Sequence, residues 1–229
     1  FTIFARLMFG ITKPRNSILG SSFSGIIEGI GSKVSMFRVG DEVFGMTGAK
    51  MGAYAEYLTA RESMPVIKKP ASLSYAEASA ICFGGTTALY FLREKVKLKK
   101  DQKILINGAS GAVGTNAIQI AKYFEANVTG ICSTNNIELI KSLGCDRVID
   151  YTKEDLGQVN NKYDVVVDTV GNISISTGLK MLTNEGVFVP IVAGLSEMLT
   201  FNKKVITGSA PEKKEDLDFL ANLVEQGKI

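Results

Sequence analysis

The stretch Lys103-Ile-Leu-Ile-Asn-Gly-Ala-Ser-Gly-Ala-Val-Gly114 decides how the rest of the chain is read. Ile104, Leu105 and Ile106 form an unbroken apolar run, as a parallel strand does when both of its faces are covered. The turn follows at once. Ala109, Gly111 and Gly114 keep the spacing of the dinucleotide fingerprint G-x-G-x-x-G, with alanine at its first position. In that pattern Gly111 lets backbone approach a pyrophosphate, and Gly114 lets the next helix press on the strand. Ser110, Ala112 and Val113 complete the turn. An anion there meets the free amides and the positive end of the helix dipole.

Downstream, strand and helix signals alternate as a doubly wound α/β fold requires. A helix over 112–125 places Val113, Ala117, Ile120, Ala121 and Phe124 on one face. Strands are expected at 128–131, 148–151, 163–168 and 186–192, with a sixth at 203–208. Helices are expected at 138–143, where Gly144 is the stop, and at 214–226. Upstream, the pieces 19–31, 39–45 and 52–58 are short, glycine-punctuated and strand-like, which argues for an antiparallel, barrel-like region. Between the two regions, Ser74 and Glu77 have the spacing of a helix capping box, and 90–96 reads as a helix. The expected division is a barrel domain at 1–90 and a dinucleotide domain at 91–229.

The composition narrows the function. A net charge of +3 with scattered basic residues gives no footprint for nucleic acid. The longest nearly unbroken apolar run, Val187 to Leu195, is too short to cross a bilayer, and no signal pattern opens the sequence, so the cytoplasm is the expected compartment. Cys82, Cys132 and Cys145 are too scattered for a disulfide framework. With no histidine and no Cys-x-x-Cys pair, these residues assemble no zinc site of the usual kind.

The second strand bears on which dinucleotide is bound. NAD sites carry Asp or Glu about 20 residues beyond the glycines, on the ribose 2′-hydroxyl. Ile131-Cys-Ser-Thr-Asn-Asn136 has no acid. Ser133, Thr134 and Asn136 offer donors to a 2′-phosphate, although no Lys or Arg stands in the segment, and NADP(H) is the expected coenzyme. At the carboxyl ends of later strands, Val170-Gly171 and Val192-Ala193 are small enough to let a nicotinamide lie flat; the same residues also suit ordinary turns.

Several segments together resemble a known family: Gly-Asp-Glu-Val-Phe-Gly at 40–45, Gly-Ala-Tyr-Ala-Glu-Tyr at 52–57, Gly85-Thr-Thr-Ala88, Asn107 to Gly114, Val148-Ile-Asp-Tyr151 and Tyr163 to Gly171. The combination is similar to the medium-chain dehydrogenase/reductase superfamily, nearest its zinc-independent quinone oxidoreductase branch. The resemblance implies a GroES-like β-barrel domain joined to a Rossmann domain. It also implies NADPH as hydride donor, an electrophilic small molecule (quinone or enone) as acceptor, and a homodimer. Where zinc-dependent relatives have Gly-His-Glu, this chain has Gly20-Ser21-Ser22. By position, Ser133 and Tyr151 match residues at the 2′-phosphate end and Thr87 one near the nicotinamide, while Asn136 stands where relatives often have Lys.

The same resemblance leads one to expect further barrel strands before Phe1, a return to the barrel after Ile229, and a longer link near Leu199. No proton donor stands out. Tyr54 is a weak candidate that reads more readily as a core tyrosine of a barrel strand. Two other readings stay open: a coenzyme-binding sensor or structural protein with little turnover, and a zinc-dependent alcohol dehydrogenase with ligands outside the chain.

Overall fold

The structure, a computed structural model, describes residues 10–13, 16–154 and 161–229. Residues 4–9 of the N-terminal apolar stretch lie outside the described residues. Among the described residues the strands form two sheets. β1 (Ser22–Ile26), β2 (Glu42–Met46) and β3 (Val66–Lys68) make a small antiparallel sheet in the order β1-β2-β3. β4 (Lys103–Asn107), β5 (Asn127–Cys132), β6 (Arg147–Asp150), β7 (Tyr163–Asp168) and β8 (Leu182–Pro190) make a parallel sheet in the order β6-β5-β4-β7-β8. This is the α/β architecture expected from the sequence: a doubly wound parallel sheet and a small antiparallel one of the GroES-like type. The chain leaves β4 toward β6 and returns on the other side at β7, so the strand order reverses beside β4.

The helices are α1 (Tyr75–Leu89), α2 (Ala112–Tyr123), α3 (Ile137–Ser142), α4 (Ile175–Lys180), α5 (Leu195–Met198) and α6 (Lys214–Glu225). The capping box starts α1: the Glu77 carboxylate accepts from the Ser74 amide at 2.8 Å, and the Ser74 hydroxyl accepts from the Glu77 amide at 3.2 Å. Beyond Leu89 the coil widens to a π-helix over Tyr90–Val96 and stops at Lys97, which turns left-handed (φ 55°). α2 buries Ala117, Ile118, Ile120 and Ala121, and each fully buried isoleucine contributes about 1.5–3 kcal/mol.

The chain divides into two compact units: residues 1–83 with 212–227, and residues 84–211 with 228–229. In the first, Phe44, Met46 and Ile67 of the small sheet pack with Ala78, Cys82 and Leu217 of α6. That unit is therefore closed by a helix distant in sequence. In the second, Leu105, Ile131, Val166 and Phe188 bring four neighbouring strands into one core.

Three sequence expectations change. Residues 52–58 form no strand: Met51 and Gly52 take φ of 54° and 96°, which turns the chain, and Tyr54 and Tyr57 are left 77% and 71% exposed. Tyr54 is accordingly not a core tyrosine; its ring lies across Gly20, where a Cβ would come within 2.4 Å of it. Residues 203–208 form only a parallel bridge, Phe188 to Val205, in place of a sixth strand. β3, α4 and α5 were not foreseen.

Candidate functional site

A cleft of about 790 Å³ opens at the carboxyl ends of β4, β5, β6 and β7, at the point where the strand order reverses. Open α/β sheets bind ligands at this place. Its floor is the turn after β4: Asn107, Gly108, Ser110 and Gly111 line it. Gly111 is the N-cap of α2, with extended backbone (φ −81°, ψ 172°). A Cβ there would meet only the Gly108 carbonyl at 3.3 Å, so this face of the turn is open. Gly114 is closed instead: a Cβ would stand 2.2 Å from the Gly108 carbonyl and 2.7 Å from the Ala109 Cα. The two glycines thus differ: the face at 111 is open, and 114 is packed against the turn. Ala109 is fully buried, and its amide bonds the Ile131 carbonyl at 3.0 Å. It holds the turn to β5 and does not face the cleft.

A buried polar network fixes the floor against the loop after β7. Asp168 is fully buried; its carboxylate accepts from the amides of Val170, Gly171 and Ile173 at 2.9–3.0 Å and from the Asn107 side chain at 2.8 Å. The same Asn107 amide also donates to Asn172 at 2.7 Å. The Thr169 hydroxyl donates to the Asn107 carbonyl at 2.8 Å. Gly108 makes this approach possible, since it takes φ 76° and a Cβ would collide with Thr169 and Val170. No fully buried side-chain nitrogen or oxygen of this clamp is left without a partner, as a buried network needs in order to be rigid.

The far end of the cleft lies at β5 and β6. Ser133, Asn136 and Tyr151 line it, with Cys132 beneath and Glu154 beside them. The Asn136 side chain donates to the Ser133 hydroxyl at 3.1 Å. Asp150 ends β6, and its carboxyl is held below its ordinary value, first by the Thr134 hydroxyl at 2.5 Å and then by Thr152, against the opposing effect of burial. Burial, and secondarily the charge of Asp150, pushes the Cys132 thiol up.

Of the residues read from sequence, Ser110, Gly111, Ser133, Asn136, Tyr151 and Val170 line this cleft. Ala112, Val113 and Gly114 form the first turn of α2 above its floor. Thr134 is turned away and spends its hydroxyl on Asp150 and Thr152. Thr87 is buried on α1, one turn past Gly84, whose missing Cβ lets α1 approach the Ala112 carbonyl. Gly171 packs against Val192, which is 57% exposed, and Ala193 is half-buried beyond it. Tyr54 belongs to the other unit. Sequence reading missed Asn107, Asp168, Thr169, Asn172 and Glu154. Only the acids ending strands, at 150 and 168, carried any signal.

The sequence has no histidine. The three thiols are buried, and among the described residues no group of three His, Cys, Asp or Glu side chains is placed to hold a metal. No helix among them is long and apolar enough to cross a membrane.

Comparison with known proteins agrees with the fold. Residues 3–71 match the family profile described as Alcohol dehydrogenase GroES-like domain, and residues 112–215 the one described as Zinc-binding dehydrogenase. The chain is 35% identical over 230 residues to the chloroplast envelope quinone oxidoreductase homolog of Arabidopsis thaliana, covering 93% of this chain and 70% of that protein. It is 40% identical over 167 residues to 2-methylene-furan-3-one reductase of Solanum lycopersicum, covering 69% of this chain and 42% of that protein. The crystal structure of Escherichia coli quinone oxidoreductase complexed with NADPH superposes with a TM-score of 0.80 at 26% identity, over 100% of this chain and 77% of that one. The chain belongs to the medium-chain dehydrogenase/reductase superfamily, in its quinone oxidoreductase-like branch, and is an oxidoreductase of that family.

Proposed function

We propose that the protein is an NADPH-dependent, metal-independent oxidoreductase that reduces a quinone or an α,β-unsaturated carbonyl compound. The observation that carries this reading is the open face at Gly111, the N-cap of α2, in the cleft where the strand order reverses. Such a face takes a pyrophosphate. The names of the Arabidopsis and tomato relatives support the acceptor class, and the E. coli complex supports the coenzyme.

When bound, a reduced nicotinamide supplies the hydride. The chain's own residues then bind and orient. Ser110, Gly111 and the first turn of α2, Ala112 to Gly114, hold the pyrophosphate. Ser133, Asn136 and Tyr151 hold the adenosine end. Val170 and Gly171, fixed by Asp168, together with Val192 and Ala193, border the nicotinamide end, and Thr87 supports it from α1. The proton comes from solvent, which a quinone oxygen permits. The unit with the small antiparallel sheet is assigned to the acceptor and the unit with the parallel sheet to the coenzyme.

Purified protein is expected to oxidise NADPH with members of a quinone and enone panel, followed at the reduced-nicotinamide absorbance band, and to hold no stoichiometric zinc. Tight NADPH binding with no turnover on any acceptor would make it a coenzyme-binding sensor, and zinc-dependent turnover would return it to the alcohol dehydrogenases.

A further inference from the structure

We propose that Glu154 sets the coenzyme preference of the cleft by opposing a 2′-phosphate, so that the site takes NADH about as readily as NADPH. The proposal rests on the nicotinamide reading above and refines its coenzyme. In dinucleotide folds the residues at the carboxyl end of the second strand, here β5, face the ribose 2′ position. In this chain that end carries Cys132 and Ser133, and Tyr151 and Glu154, just beyond the neighbouring β6, line the same cleft. Among the described residues lining the cleft, Glu154 is the one charged side chain, and none is Lys or Arg.

Glu154 is exposed and touches Asp150 at two points. Its amide donates to the Asp150 carbonyl at 2.9 Å, and its carboxylate accepts from the Asp150 amide at 3.4 Å. The neighbouring cation does not neutralise it: Lys153 leans to the Asp150 carboxylate at 3.8 Å and is 67% exposed. Asp150 itself is ionised and adds negative charge behind the wall. A phosphomonoester carries a charge of about −1.5 to −2 near neutral pH. At this end of the cleft it finds hydroxyl and amide donors in Ser133, Asn136 and Tyr151, but no Lys or Arg among the described lining residues, and it shares the wall with a carboxylate. A ribose hydroxyl finds the reverse, because the same carboxylate is an acceptor for it. An acid performs this role at the second strand of NAD sites; here the third strand supplies it, which is why the acid-free segment 131–136 does not by itself define the preference.

Isothermal titration with 5′-ADP and 2′,5′-ADP tests this without turnover. The wild-type protein is expected to bind the two within about threefold of each other, the donors and the carboxylate offsetting. Glu154→Gln is expected to tighten 2′,5′-ADP by about three- to tenfold and to leave 5′-ADP unchanged or weaker, and Glu154→Lys to enlarge that gap at low ionic strength. NADPH and NADH Michaelis constants should move in the same ratio. Glu154 is exposed, and circular dichroism of both variants checks that they fold. Binding of both nucleotides with a ratio that neither variant moves overturns the role of Glu154 alone, as does a wild-type preference for 2′,5′-ADP above about thirtyfold. Failure of the wild type to bind either nucleotide overturns the nicotinamide reading and this proposal together.

Discussion

Two glycines three residues apart, Gly111 and Gly114, differ in what an added methyl group would meet, and the difference separates binding from stability. At Gly114 a Cβ would overlap the Gly108 carbonyl at 2.2 Å, with backbone on every near side. Backbone cannot yield as a side chain can. Gly114→Ala is therefore expected to cost about 1–3 kcal/mol or more of stability, read as a lowered urea midpoint. At Gly111 the methyl group would enter the open face at 3.3 Å from one carbonyl. Gly111→Ala is expected to change stability by less than about 1 kcal/mol while weakening 5′-ADP binding by about tenfold or more, because the methyl group fills the approach. Equal effects of both substitutions on stability and on binding would overturn this division. The sequence showed both glycines, but only the neighbouring atoms distinguish their roles. Asp168 was also visible at the end of an apolar run; its clamp was not, because Asn107 lies 61 residues away and nothing local announces a pair that only the β4–β7 register brings together.

At the scale of elements, the turn after β6 is built around one carboxylate. Asp150 is held below its ordinary value of 3.8, chiefly by the Thr134 hydroxyl. A carboxyl lowered in the folded state stabilises the fold fully above its unfolded value, and that stabilisation is lost as pH falls through the lowered folded value. Thr134→Val removes the leading cause. Asp150 should then titrate at higher pH in a carboxyl-carbon NMR titration, and the acid-unfolding midpoint should rise with it; an unmoved Asp150 titration would show that Thr134 is not its support. The elements themselves were legible to unequal degrees. β4, β7 and α2 announce themselves by apolar runs, glycines and helical spacing. α4 does not: Ile175 to Lys180 is six residues containing two β-branched residues and a glycine, and its Ser174 cap is a common turn residue. Residues 52–58 mislead in the opposite sense, since alternation of side chains cannot make a strand where Met51 and Gly52 have already turned the backbone.

At the scale of the whole molecule, the three thiols report on integrity. Burial pushes Cys82 up to about 12 and raises Cys145 and Cys132 as well. All three are buried. The thiolate is the reactive form, so iodoacetamide at about pH 8 should leave the folded protein unmodified and add three carbamidomethyl groups in denaturant, counted by intact mass. Labelling of one site alone in native buffer would reveal a local opening in the unit that contains it.

The return of α6 to the first unit bears on how the chain is made. Leu217 completes the core around Phe44, Met46 and Ile67, yet a ribosome delivers it only after residues 84–211 have been synthesised. The small sheet, covered until then only by α1, consequently waits for its last core residue while the nearly contiguous second unit can already fold. Domains generally fold as units as they emerge, so the order of assembly here runs against the order of the sequence: the part encoded first is finished last, and a nascent chain stalled before Leu217 is one a chaperone must hold.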